Sequence, residues 1–157
     1  MNVADPATTL RLQRTFDAPA RDVFDAWTNP EVLRRWWVAN PAWRTPVVDV
    51  DLRVGGRYRL SMEDPDAGTT HTVCGEYREV RPPERLVYSW AWEDDQGQAG
   101  YVSTVTVEFL AEGERTTVVL EHSGLQSPDS RDRHGHGWNA CLEMLATRVF
   151  APAAQPS

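Results

Sequence analysis

Between residues 45 and 124 the chain changes hydrophobic period very little, and that constrains its fold more than any other feature. Six segments there place apolar residues on every second position: "TPVVDVDLRV", "RYRLSM", "THTVCGEYREV", "ERLVYSWAWE", "YVSTVTVEFLA" and "RTTVVLEHSG". Period two is the signature of a strand with one buried face. The connections carry Gly55-Gly56, "EDPDAG", Pro82-Pro83, "DDQGQAG" and "EGE". Most are short enough to join antiparallel neighbours.

The flanks have different periods. "TTLRLQRTFDA" alternates Leu10, Leu12 and, after Arg14, Phe16, so it reads as a further strand. Two short helices follow. In the first, Pro19 suits the opening turn and Ala20, Val23, Phe24 and Trp27 share a face. In the second, Asn29 is the candidate cap, Pro30 the first residue, and Val32, Leu33, Trp36 and Trp37 the apolar stripe. Beyond Ser127, a candidate cap followed by Pro128, the positions His134, Trp138, Cys141, Leu142, Leu145 and Val149 recur at helical spacing. The tail "APAAQPS" reads as frayed.

The expected fold is α+β: a seven-stranded curved antiparallel sheet gripping a long C-terminal helix, with two short helices after the first strand. One face of such a sheet needs a cover, and the terminal helix is the one element long enough. The 157 residues form a single domain, with no linker or internal repeat.

Alternation assigns the inward face. It carries Tyr58, Leu60 and Met62; Val73, Gly75 and Tyr77; Leu86, Tyr88, Trp90 and Trp92; Val105, Val107 and Phe109; and Val118, Leu120 and His122. Ser89 is expected opposite Trp90. The outward positions Arg57, Arg59 and Ser61, and Thr104, Thr106 and Glu108, are polar and offer no apolar docking patch. Glu76, Glu79 and Glu84 among Arg78, Arg81 and Arg85 read as a solvated charge ladder. Glu79 turns inward with Tyr77 unless a bulge intervenes.

Several residues carry chemical possibilities. His122, at the end of the inward row, is either a polar handle in a cavity or a histidine bonded within the core. His134 shares the inner helix face with Trp138. His136, two residues on, points about 200° away, so the pair does not suit a common metal ion. No metal or cofactor is expected. Gly135 and Gly137 weaken a helix interior by about 1 kcal/mol each relative to alanine. They suggest close approach to the sheet, a loosened first turn, or a helix that begins only near Trp138. Trp27 and Trp36 are core candidates, Trp37, Trp90, Trp92 and Trp138 candidate walls for an apolar or aromatic ligand, and Trp43 a partly exposed lid. Cys74 and Cys141 have no paired-cysteine motif and read as buried free thiols.

The stretches "TFDAPARDVFDAWTNPEVLRRWW", "GGRYRL", "GEYREVRPPERLVYSW", "STVTVEF" and "HSGLQSPDSRDRHGHGWNACLEMLA" resemble the START-like (SRPBCC, helix-grip) superfamily. Within it they resemble the branch named after the C-terminal domain of the heat-shock-protein ATPase activator. The resemblance spans roughly residues 8 to 148. It implies the same helix-grip fold, with a cavity between helix and sheet. The superfamily includes lipid and hormone carriers, polyketide cyclases and aromatases, and ring-hydroxylase subunits, so it fixes fold better than function. In "HGHGW", His134, Gly137 and Trp138 match a pattern of the branch.

The leading expectation is a cytoplasmic protein binding a small, mainly apolar or aromatic molecule, with no catalytic residue assigned. Trp37, Tyr58, Met62, Tyr77, Trp90, His122, His134, Trp138 and Leu142 are the candidate ligand contacts. The rivals are a cyclase- or aromatase-type enzyme using His122, His134 or Tyr77, and a module supporting a partner protein. A net charge of -7 argues against a nucleic-acid binder. No apolar run is long enough to insert in a membrane, and the N-terminal residues do not read as a signal peptide.

Overall fold

The computed structural model describes residues 5–150. The "APAAQPS" tail lies outside the described residues. After a short 3-10 turn at Pro6–Thr8 the elements are β1 (Leu10–Phe16), α1 (Ala20–Thr28), α2 (Pro30–Trp36), β2 (Val48–Val50), β3 (Arg57–Asp64), β4 (Thr69–Arg81), β5 (Arg85–Trp92), β6 (Ser103–Glu112), β7 (Arg115–Ser123) and α3 (Pro128–Met144). The strands form one antiparallel sheet in the order β1-β7-β6-β5-β4-β3-β2. Strands β2 to β7 thus meander, and β1 closes the far edge by pairing with the last of them. The helices cover one face of this sheet.

Local chemistry sets the helix starts. The Asn29 side chain accepts the Glu31 N–H at 3.0 Å, and Pro30 supplies the first residue of α2. Ser127 Oγ accepts the Ser130 N–H at 3.0 Å, with Pro128 next. Each cap satisfies one of the donors that a helix start leaves free. Helix α3 runs unbroken through both glycines, so it does not begin at Trp138. It ends earlier than its apolar spacing predicts: residues Leu145–Val149 form a π-helical turn, closed by Phe150 N–H to Leu145 O at 3.1 Å.

The inward face is as the alternation predicts. Leu86, Val105, Val107, Leu120 and Val73 are fully buried, with Trp27, Trp36 and Trp138 among them. The indole of Trp36 donates to Ala26 O at 2.8 Å, tying α2 to α1. Both thiols are buried and free. No helix among the described residues is long and apolar enough to cross a membrane.

Three expectations need correction. Strand β2 has three residues, not ten. Pro46 offers no N–H, and pairing with β3 breaks there, between the Arg44–Glu63 bridge and the bond from Ser61 N–H to Val47 O. Ser61 is buried and bonds Thr72 at 2.8 Å, so that outward position is not solvated. Ser89 is also buried, like Trp90, although the two lie on opposite faces. The assignment of faces nevertheless stands, because Ser89 pairs with outward Thr104 and Trp90 with Ser103. Ser89 is covered because its Oγ accepts the Glu76 N–H at 2.8 Å and its carbonyl accepts the Tyr58 hydroxyl at 2.5 Å. Gly75 makes room for that carbonyl.

A bulge between Tyr77 and Glu79 resolves the open question there. It turns Glu79 outward into a ladder with Arg81 and Arg85, and Arg85 continues to Glu108 at 3.2 Å. Arg78 instead donates to Thr104 Oγ1 at 3.1 Å.

Candidate functional site

Between α3 and the sheet lies a cavity of about 660 Å³. The sheet contributes Met62 from β3, His71 from β4, and Trp90 and Trp92 from β5. The chain between α2 and β2 contributes Trp37, Ala39 and Trp43. Gln126 precedes the helix, and α3 itself supplies Ser130, Arg133, His134, Gly137, Trp138 and Cys141. Exposed Gln126, Arg133 and His71 place the mouth at the protein surface. Its size is that of an ordinary small-molecule site.

Each wall has a sequence cause. Ser130, His134, Gly137, Trp138 and Cys141 follow one helical stripe. Met62 and His71 are register partners across the β3–β4 hairpin. Trp90 and Trp92 are alternate residues of β5 and meet edge to face at 5.5 Å. Trp43 stacks on His71 at 5.8 Å. Gly137 adds space of its own, since a Cβ there would meet nothing within 4 Å, whereas one on Gly135 would approach Leu10 Cδ1 at 3.3 Å. The first glycine admits the β1 edge, and the second leaves the cavity open.

Two tryptophan–histidine bonds organise the inner wall. The Trp138 indole donates to His122 Nδ1 at 3.1 Å, so His122 carries its proton on Nε2, 2.7 Å from Ser103 Oγ. The Trp92 indole donates to His134 Nε2 at 3.0 Å, so His134 carries its proton on Nδ1 and gives it to the Ser130 carbonyl at 2.7 Å. Both rings are neutral in this pattern. Burial, with a smaller contribution from nearby His134, pushes the His122 pKa down to about 3. Burial also lowers that of His134, against the pull of the Ser130 carbonyl. Neither ring has a free lone pair for a substrate proton. Burial raises the Cys141 thiol to about 12, and it donates to Val38 O. It is therefore a poor nucleophile.

Trp90 differs from Trp92 and Trp138. It is 4% exposed, and its Nε1 has no hydrogen-bond partner. A buried donor without a partner costs about 1–3 kcal/mol.

Of the residues proposed from sequence, Trp37, Met62, Trp90, His134 and Trp138 line the cavity together. Tyr58, Tyr77, His122 and Leu142 do not, which corrects their placement. Tyr58 and Tyr77 cluster with Tyr88 around a separate void of about 10 Å³. Tyr58 precedes Met62 by four residues, about 13 Å of strand, so a shared face does not mean a shared depth. Burial holds the Tyr58 and Tyr77 hydroxyls well above their usual pKa. His122 is fully buried behind Trp90 and Trp138. Leu142 lies one turn beyond Trp138, takes no part in the cavity wall and packs in the core. Arg133, Ser130, Gln126, Ala39 and His71 were not foreseen as wall residues. The helical stripe through His134 would have found Ser130, and the hairpin register would have found His71. Among the described residues no group of three or more His, Cys, Asp or Glu side chains could hold a metal ion.

A curved seven-stranded antiparallel sheet, a C-terminal helix across its face and a cavity between them define a helix-grip protein. The chain belongs to the Activator of Hsp90 ATPase homolog 1-like family, which matches residues 17–149. The AHSA1 protein of Silicibacter pomeroyi is 27% identical, with a TM-score of 0.80 over 88% of this chain and 95% of that one. A protein from Chromobacterium violaceum is 25% identical, with a TM-score of 0.82 over 93% and 99% of the two chains. A third, from Nitrosomonas europaea, is 26% identical, with a TM-score of 0.74 over 92% and 95%. No match was found among curated proteins.

Proposed function

We propose that this protein binds a small, mainly apolar molecule carrying an aromatic ring in the cavity between α3 and the sheet. The observation behind this reading is the wall itself. Five indoles, those of Trp37, Trp43, Trp90, Trp92 and Trp138, border one space of about 660 Å³. Aromatic faces stack on planar ligands in offset or edge-on geometry. Free, buried Cys74 and Cys141 suit a reducing compartment such as the cytoplasm. Catalysis is the weaker reading, because His122 and His134 spend both ring nitrogens on internal bonds.

The test is a titration with one-, two- and three-ring aromatic compounds, followed by tryptophan fluorescence and by thermal unfolding. Quenching together with a melting temperature that climbs with ligand concentration is the expected result. If no ring size changes either signal, the reading is wrong.

A further inference from the structure

The cavity has one charged wall residue. Arg133 lines it, and no aspartate or glutamate does. This is unexpected in a chain with net charge -7, where acidic residues outnumber basic ones 23 to 16. Arg133 also differs from its neighbour on α3. Arg131 is held by Asp132 at 3.1 Å and by the Pro6 carbonyl at 3.0 Å. No described carboxylate pairs with Arg133.

The polar groups are thus sorted along the cavity. At the mouth stands an exposed guanidinium, whose flat fork of donors matches a carboxylate. Between the mouth and the floor are indole faces. On the inner wall, Trp90 keeps a buried N–H that no protein group satisfies. Two of the five indoles are occupied: Trp92 gives its N–H to His134 and Trp138 gives its N–H to His122. The one cationic group therefore stands at the mouth of an apolar slot.

We propose that the ligand class is an aromatic carboxylic acid, with its carboxylate at Arg133 and its ring among the indoles. This rests on the binding reading above and specifies it. A neutral arene would leave Arg133 as it is, and a cationic arene would meet like charge at the mouth.

The experiment uses the whole chain and paired probes: benzoic, 2-naphthoic and anthracene-2-carboxylic acids, each beside its methyl ester. Ring size and apolar area are nearly equal within a pair, so the difference isolates the charge. The acid of the best-fitting pair should bind about fivefold more tightly than its ester, the factor that roughly 1 kcal/mol of solvent-exposed ion pairing gives. That preference should shrink as salt rises. Arg133→Gln should remove it, bringing acid and ester to equal affinity. Equal binding of acid and ester, or a preference that survives Arg133→Gln, overturns the acid assignment while the cavity reading stands. If no acid or ester of any ring size binds, the cavity reading falls and this inference with it.

Discussion

The indole N–H of Trp138 donates to Nδ1 of His122 at 3.1 Å, joining the gripping helix to the last strand of the sheet. The bond requires an unprotonated Nδ1. The His122 pKa falls from 6.5 to about 3 on burial, so below pH 6.5 the unfolded chain takes up a proton that the folded one refuses. Stability is complete above that pH and is lost as pH falls toward 3, by up to ~1.4 kcal/mol per pH unit from this group. His134 acts in the same direction. Urea unfolding at several pH values should show a shallower acid limb in His122→Asn than in the parent chain. Parallel limbs would mean that His122 is protonated in the fold.

Trp138→Phe and Trp90→Phe remove the same N–H from neighbouring indoles whose rings lie 5.2 Å apart. The outcomes should differ. The first strands a buried histidine acceptor and should cost about 1–3 kcal/mol. The second removes a donor that has no partner, so its cost should be smaller by about 1 kcal/mol or more. Chemical denaturation of the two variants in the absence of ligand makes the comparison. Equal losses would place a partner at the Trp90 N–H.

Gly75→Ala should be strongly destabilising. A Cβ there would sit inside the van der Waals envelope of the Ser89 carbonyl and 2.7 Å from Tyr58 Cε1. Overpacking of this kind costs typically ~1–3 kcal/mol, and more where backbone has to move. Tyr58→Phe, which frees the Ser89 carbonyl, should cost about 1–3 kcal/mol. Melting temperatures of the two variants and the double mutant should show coupling, because both act on one carbonyl.

Gly137 should respond in the opposite way. Space lies around it, and alanine is the better helix former, so Gly137→Ala should stabilise the protein by up to about 1 kcal/mol. Gly137→Phe should intrude on the cavity and weaken binding of aromatic probes with little loss of melting temperature. A Gly137→Phe protein that still binds with unchanged affinity would move the site elsewhere.

Period and chain order carried most of this structure. The seven strands and the inward row from Leu86 to Trp90 follow from alternation, the neighbours among β2 to β7 from chain order, and both helix caps at Asn29 and Ser127 from local chemistry, whereas the pairing of β1 with β7 does not. Such signals are local: a two-residue period places a side chain on a face whatever the rest of the chain does. The bulge after Tyr77 was legible only as an alternative, because the same residues permit either register.

Depth and partnership belonged to the tertiary structure. Tyr58 and Met62 share a face by sequence, yet one closes a small void and the other borders the cavity, because the curved sheet meets α3 at different distances along one strand. His122 and His134 look alike as inward histidines. Contacts from Trp138 and Ser103 on one, and from Trp92 and Ser130 on the other, decide their tautomers and exhaust their nitrogens. The sequence alone determined which faces are apolar and in what order the elements come. The fold decided which of those faces fill space and which leave it empty, since a void depends on how distant side chains meet and no local period records that.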